Sequence, residues 1–460
     1  MKKITLLALF VLISFLVACG GTSTTQSIGT DVTNQDGTVS IEFYGWGSIE
    51  ESIVFQELID TFMEANPDII VSYTNSSPET YMRVLQNRVN NLPDVFYLPD
   101  TEFMLWADSG RLLNLDSFIS TETLTSIWPE AINRYQYDRN EQVLGSGSLY
   151  ALPKDLGPFA MVYNKTLFQE IVSAKGLDLA FPDPDTPLSW DAFTQLLNQL
   201  KYTRQNGQKV FGISHYELPT AIYSNNADFF AASDIRNEGI SAPNFIQALQ
   251  FVADLHLVHG VMPSPDEQVS VNGFQRFSTG GTVFSFMGPW DSKGFWENLS
   301  FEWDLIPVPY GPAEGAKSTT WVGSMGFAIS AKTKKANAAY RLAEFLSISP
   351  QSQQLSYQMG QSIPNVISLA KNDFIQGIGL TGTNQQFPAN RSMFIKIVEG
   401  TELIGGKARP AYFTYDSIWY NDLMAELIDV FMGSETAAQF ANRYKSVLQA
   451  ALDESYSYIE

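Results

Sequence analysis

Apolar positions along this chain recur with two periods, and the periods take turns. Val39-Ser40-Ile41-Glu42-Phe43 alternates apolar and polar residues as a half-buried strand does. Val54, Phe55, Leu58, Ile59 and Phe62 then repeat at three- and four-residue spacing, which marks one helical face, and Asn66-Pro67 ends that helix. Ile69-Ile70-Val71 with Tyr73 predicts a second strand. Tyr81, Val84, Leu85 and Val89 predict a second helix, and Val95-Phe96-Tyr97-Leu98 a short buried strand. The alternation returns further on. Ser189 caps a helix carrying Phe193, Leu196, Leu197 and Leu200, and Phe245, Leu249, Val252 and Leu255 share another face. Thr282 to Met287 reads as a strand closed by Gly288-Pro289. Two more helices follow, on Ala339, Leu342, Ala343 and Leu346, and on Phe440, Tyr444, Val447, Leu448 and Ala451. Strands alternating with helices predict an α/β fold with mainly parallel sheets. No internal repeat and no Pro- or Gly-rich linker separates two halves, which favours lobes that exchange chain segments over domains in series.

The N-terminus has a different pattern. Lys2 and Lys3 precede an apolar run from Ile4 to Val17, broken only by Thr5 and Ser14 and too short to span a bilayer. Leu16-Val17-Ala18-Cys19 resembles the lipobox of bacterial lipoproteins. That resemblance implies a signal peptide over residues 1–18 and a lipid on the Cys19 thiol. Gly20 to Gly37, rich in Gly, Ser, Thr, Asn and Gln, extends this into a flexible linker over residues 19–38. By random-coil scaling its ends sit roughly 20–25 Å apart.

Composition narrows the classes. At 460 residues and 45% hydrophobic, the chain has material for two lobes or domains. Net charge is −21, and −23 once Lys2 and Lys3 are gone, so the surface repels nucleic-acid phosphates and anionic lipid heads. Cys19 is the only cysteine, so no intrachain disulfide is available. Nine Trp, 20 Tyr and 31 Phe exceed what packing asks for, even with most Phe assigned to the core. Aromatic faces stack on the C–H faces of sugar rings, which points to carbohydrate.

Several strings then occur in order: Leu92-Pro93-Asp94-Val95-Phe96, Tyr150-Ala151-Leu152-Pro153, Met161-Val162-Tyr163-Asn164-Lys165 and Leu188-Ser189-Trp190-Asp191-Ala192-Phe193. Phe284 to Trp290, Ile306-Pro307-Val308-Pro309, Trp321-Val322-Gly323, Gly326-Phe327-Ala328-Ile329 and Gly360 to Pro364 complete the set. Together they resemble the extracellular solute-binding proteins, family 1, of ABC importers, the maltose and oligosaccharide group. The resemblance implies a type II periplasmic-binding-protein-like fold, two α/β lobes closing on a ligand cleft at a hinge. It implies crossings near Pro153, Gly323 and Asn372. The N-terminal lobe would then comprise 39–153 plus 325–372, and the C-terminal lobe 154–324 plus 373–460. It further implies a monomer, lipid-anchored at the outer face of the cell membrane or tethered in a periplasm. Such a protein captures a neutral sugar of oligosaccharide size for the transmembrane permease, without catalysis, cofactor or metal.

Candidate ligand residues follow from one rule: in open α/β sheets, ligands sit at the carboxyl ends of strands. Trp46 lies between two glycines after the first strand, Asp100 follows the Val95–Leu98 strand, and Trp290-Asp291 follow the strand ending at Met287. Trp with a carboxylate suits sugars, since the indole covers the apolar ring face while the acid accepts from hydroxyls. Both acids also suit helix caps. The resemblance adds Glu79, Ser224, Asn225, Trp321, Trp419 and Tyr420. Against these stand plainer roles: a dipole-complementing first-turn acid for Glu79 and helix core for Trp419. Arg391 and Arg409 either reach the cleft or balance surface acid, and the second reading is preferred. His256-x-x-His259 lacks the spacing and the acid of a zinc motif, and no Gly-x-Ser-x-Gly, P-loop or dinucleotide fingerprint occurs. The rival class is a surface-anchored glycoside hydrolase or polysaccharide-degrading enzyme. It requires two carboxylates about 5–10 Å apart flanking the scissile bond.

Overall fold

A computed structural model describes residues 29–457; the expected signal peptide, Cys19 and the first part of the linker lie outside the described residues. The opening alternation becomes β1 (Val39–Trp46), α1 (Ile49–Ala65), β2 (Ile69–Ser76), α2 (Pro78–Asn87), β3 (Val95–Pro99) and α3 (Asp100–Asp108). β1 lies parallel to both β2 and β3. Ser48 and Glu51 form a capping box that starts α1, which buries Val54, Phe55, Leu58, Ile59 and Phe62, the face its periodicity predicts.

Beyond this unit come β4 (Ala151–Pro158), β5 (Ala160–Asn164), α4 (Trp190–Leu200), β6 (Lys209–Ile213) and α5 (Pro243–Leu257). They are followed by β7 (Thr282–Met287), β8 (Trp303–Ile306), β9 (Ser318–Ile329), α6 (Ala336–Ile348) and β10 (Ile404–Ala408). The first sheet runs β10-β9-β3-β1-β2, with β4 along the other edge of β9. The second runs β8-β5-β7-β6, edged by Tyr202–Thr203. Each sheet covers its own core, one around Phe43, Tyr97 and Phe327 and the other around Phe193, Leu249 and Phe284.

Both sheets are mixed, which corrects the expectation of mainly parallel ones. β9 is antiparallel to β3 and β4, and β5 is antiparallel to β7 and β8. The reason is the crossing itself. A chain that leaves one lobe along β4 and returns along β9 must run the two strands in opposite directions. Val322 pairs with Pro158, Gly323 with Gly157 and Ala328 with Ala151 along this ribbon. A later passage is stapled to it by the fully buried Asn365. Its amide donates to the carbonyls of Pro153 (2.8 Å), Lys154 (3.1 Å) and Ser347 (2.9 Å). Beyond Asn372, where the resemblance puts the last crossing, the chain touches the first lobe once more. Tyr415 and Tyr137 hydroxyls meet at 2.6 Å, and Ser417 donates to Glu102 at 2.8 Å.

Residues 29–38 are docked rather than free, which shortens the expected leash at its C-terminal end. The Asp31 carboxylate accepts from the backbone N–H groups of Asn337 (3.0 Å) and Ala338 (2.8 Å), and Val32 N–H donates to the Lys334 carbonyl (3.0 Å). α6 has no side-chain cap of its own at Lys335, so Asp31 supplies from a distance the cap that a local Ser or Asp normally gives. Asp31→Ala is expected to lower stability by about 0.5–2 kcal/mol. Urea unfolding checks this; an unchanged midpoint means the arm only rests on α6.

Candidate ligand cleft

Four strand carboxyl ends converge between the lobes: Trp46 closes β1, and Asp100, Trp290 and Arg409 follow β3, β7 and β10. They border a cleft of about 470 Å³ whose floor is the crossing ribbon, through Lys154, Asp155, Gly157, Gly323, Ser324 and Met325. This is where the carboxyl-end rule places a ligand.

One wall is an aromatic shelf. Trp290 lies near-parallel to Phe159 (15°, 6.1 Å between centroids), which stacks in turn on Trp321 (4.6 Å) and Phe286 (5.7 Å). Two glycines make room for the Trp290 ring. A Cβ on Gly157 would come within 2.5 Å of it, and one on Gly288 within 2.3 Å. Trp46, half-buried, faces the cleft from the first lobe and meets Tyr81 edge-on at 5.1 Å.

The cleft's carboxylates each have an internal partner. Glu51 accepts from Gln361 (2.7 Å) and from its own cap at Ser48 (3.1 Å). Asp155 binds the Lys154 ammonium at 2.7 Å, and Glu102 accepts from Ser417. Asp100, only 2% exposed, is ion-paired with the fully buried Arg134, which also donates to the Val322 carbonyl at 2.9 Å. Burial pushes the Asp100 carboxyl up, against the opposing pull of Arg134 and Arg409. Arg134 thus joins α3 to the crossing strand beneath the ligand space.

Of the predicted residues, Trp46, Asp100, Trp290, Trp321 and Tyr420 come together on the cleft. The others do not. Glu79 is exposed in the first turn of α2, whose Pro78 and Met82 face the cleft instead. Ser224 and Asn225 are fully buried in the second lobe, and Asn225 pins the loops of Asn244 (2.8 Å) and Ala313 (3.1 Å). Trp419 is core, donating to Thr414 at 2.9 Å. Asp291 turns back to accept the Gly288 N–H at 2.8 Å, and its side chain makes no cap on the helix Ser292–Asn298 that follows, the other role expected for it. Sequence reasoning passed over Glu51, Glu102, Lys154 and Asp155, and left Arg409 between the cleft and surface charge balance. Lys154 and Asp155 directly follow Pro153, where a crossing was already expected. Arg409 was hidden because Ile404-Gly405-Gly406-Lys407-Ala408 lacks the side chains that announce a strand. Among the described residues, no group of three or more His, Cys, Asp or Glu is placed to hold a metal, and no helix is long and apolar enough to cross a membrane.

An inter-lobe cleft at strand carboxyl ends, floored by the strands that cross, defines a two-lobe binding protein. Comparison with known proteins agrees. Residues 46–353 match the family model of the bacterial extracellular solute-binding proteins, and the chain belongs to that family. A maltotriose-binding protein of Pyrococcus abyssi (strain GE5 / Orsay) is 22% identical over 327 residues, 70% of this chain. The match spans 65% of that relative's length, less than two thirds. Among solved structures, an ABC substrate-binding protein from Listeria monocytogenes in complex with cycloalternan superposes with a TM-score of 0.74 at 19% identity. That superposition covers 90% of this chain and 99% of the other. The GacH receptor of Streptomyces glaucescens gives 0.71 at 17% identity, over 90% and 99%. The fold is therefore the type II periplasmic-binding fold expected from the resemblance.

Asp291 has a consequence that pH can read. Burial raises its carboxyl to about 7, with the Gly288 N–H pulling the other way and Glu51 adding to the rise. The unfolded chain gives up this proton near an ordinary value of about 3.9. Its contribution to stability is thus complete below that value and lost as pH climbs towards 7. Asp291→Asn keeps an acceptor for Gly288 and removes the titration. Its urea midpoint is expected to fall less than wild type between about pH 4 and 7. An equal fall in both proteins would remove Asp291 as the cause.

Proposed function

We propose that this protein captures a neutral oligosaccharide and delivers it to the transmembrane permease of an ABC importer. It acts as a monomer held at the outer face of the membrane by a lipid on Cys19. The observation that carries the sugar reading is the Trp290 ring, laid against Gly157 and backed by Phe159, which with Trp46 lines a cleft whose carboxylates are already partnered. Such a cleft offers apolar faces to pyranose rings and polar groups to hydroxyls, and leaves none of its lining carboxylates unpartnered to draw a cation. The names of relatives point the same way: maltotriose for the Pyrococcus protein, cycloalternan and acarbose for the two structures. Ligand contacts made by both lobes favour the closed arrangement by their differential affinity.

Hydrolysis fits the cleft less well. Its lining carboxylates, Glu51, Asp100, Glu102 and Asp155, stand on α1, α3 and the crossing strand β4, with none from the second lobe's own elements. A glycosidase needs its two acids on either side of the bond.

Calorimetric titration with mono- and oligosaccharides tests the proposal. Binding of a neutral oligosaccharide, with the sugar recovered intact, is expected. Trp290→Ala should weaken it by roughly 1–3 kcal/mol, as loss of a central aromatic contact does. Cleavage of the sugar, or no sugar binding at all, would overturn the reading.

A further inference from the structure

Trp321 borders the cleft but is 4% exposed, and both its faces are taken. Phe159 stacks against it with centroids 4.6 Å apart, and the Arg409 guanidinium carbon lies 3.9 Å from the ring centre. A phenyl ring and a guanidinium cannot share one indole face at those distances, so they cover opposite faces. No face of Trp321 is left for a sugar. The indole N–H is committed as well, donating to Glu217 Oε2 at 3.1 Å. Glu217 is in turn held through Oε1 by His215 Nε2 at 3.2 Å, and His215 Nδ1 meets Ser214 Oγ at 2.9 Å. Ser214 Oγ finally reaches Ser285 Oγ on β7 at 2.8 Å. This chain of contacts fixes the plane of the indole on which Arg409 stacks.

Arg409 is the opposite case. Its side chain is exposed, lines the cleft and finds no hydrogen-bond acceptor among the described residues. Its guanidinium is laid flat by stacking, so its planar fork of N–H donors is oriented before any ligand arrives, and little rotamer freedom remains to be lost. The position is tight: a Cβ on Gly323 would stand 3.2 Å from Trp321 and 3.9 Å from Arg409 Nε.

We infer that Arg409 is a specificity-determining ligand donor, positioned by Trp321 and Glu217, and that it reads a vicinal diol of the sugar. The inference rests on the oligosaccharide reading above. Asp100 and Glu217 both feel the charge of Arg409, which opposes the upward push of burial on each carboxyl. A ligand carboxylate or phosphate at the fork would sit beside these two acids and gain little. A hydroxyl is both donor and acceptor, so it can accept from Arg409 while its own proton faces a carboxylate. Two neighbouring hydroxyls match the two parallel donors of the fork.

The test uses the full chain, the tightest neutral oligosaccharide from the titration screen, and its mono-deoxy and mono-O-methyl derivatives. Arg409→Ala and Arg409→Lys are expected to weaken the parent sugar by roughly 10- to 100-fold, as loss of a charged hydrogen-bond fork does. The wild type should reject derivatives altered at one diol by a similar factor, and Arg409→Ala should be indifferent to that alteration. Trp321→Phe keeps an aromatic face and loses the bond to Glu217. It should weaken binding in the wild type and add nothing once Arg409 is gone. Thermal midpoints of each variant separate this from unfolding, and Arg409→Lys keeps the test readable where Arg409→Ala is unstable. Equal affinity of wild type and both Arg409 variants for the parent sugar would sink the inference and leave the oligosaccharide reading standing. So would a loss in Arg409→Ala that is uniform across all derivatives. A wild type that binds no neutral sugar, or prefers an anionic one, overturns both.

Discussion

Backbone hydrogen bonds between β4 and β9, with an apolar cluster that joins Trp128 and Ile363 to Leu156, Met287 and Phe394, tie together two lobes whose main cores lie to either side. The ribbon they form is hinge and binding floor at once. Its register decides which side chains point at the ligand, because a slip by one residue in either strand turns every side chain to the other face. Gly157 opposite Gly323 leaves the middle of the ribbon bare, and it is against Gly157 that the Trp290 ring lies. Ser324 and Asp155 lock the same stretch, with the Ser324 hydroxyl donating to the Asp155 carbonyl at 2.6 Å. Arg134 holds it from the first-lobe side through Val322. Misplacing the ribbon would therefore disturb the aromatic shelf, the paired carboxylates and the stacked Arg409 together.

Charge in the cleft is arranged with the same economy. The chain carries a large negative excess, yet the acids that reach the ligand space are each tied to a cation, an amide or a hydroxyl. An unpaired buried carboxylate would be costly, and would also draw cations into the site. Partnered acids instead keep lone pairs available as directional acceptors. The surface can then be strongly acidic, which favours solubility, without making the cleft a cation trap.

Much of this was legible in the sequence, and what was not has physical causes. α1 was readable because its apolar positions share one helical face and its cap is local. β7 was readable because six apolar or small residues run up to Gly-Pro. β10 was not, since two glycines dilute its strand character and its partner β9 lies far away in sequence. The same obscurity made Arg409 look like surface charge. Ser224, Asn225 and Trp419 were carried over from a resemblance, and here the structure puts them in the second-lobe interior instead. Trp321 was drawn to the cleft correctly as a position, while its covered faces depend on Phe159 and Arg409, contacts no spacing rule could reveal. The docked arm at 29–38 was composed like a leash. One aspartate and the bare N-terminus of a distant helix were enough to hold it.

That arm determines where a pull on the N-terminus is felt. With Asp31 clasped to the first turn of α6, tension along the chain ahead of it is delivered to the first lobe, through a helix whose other end holds the ribbon, the Ser347 hydroxyl donating to the Pro153 carbonyl of β4. The load passes through the Asp31 carboxylate and the Val32 N–H to a helix packed on the lobe's core. Opening and closing are thereby linked, through one helix, to whatever holds the N-terminus.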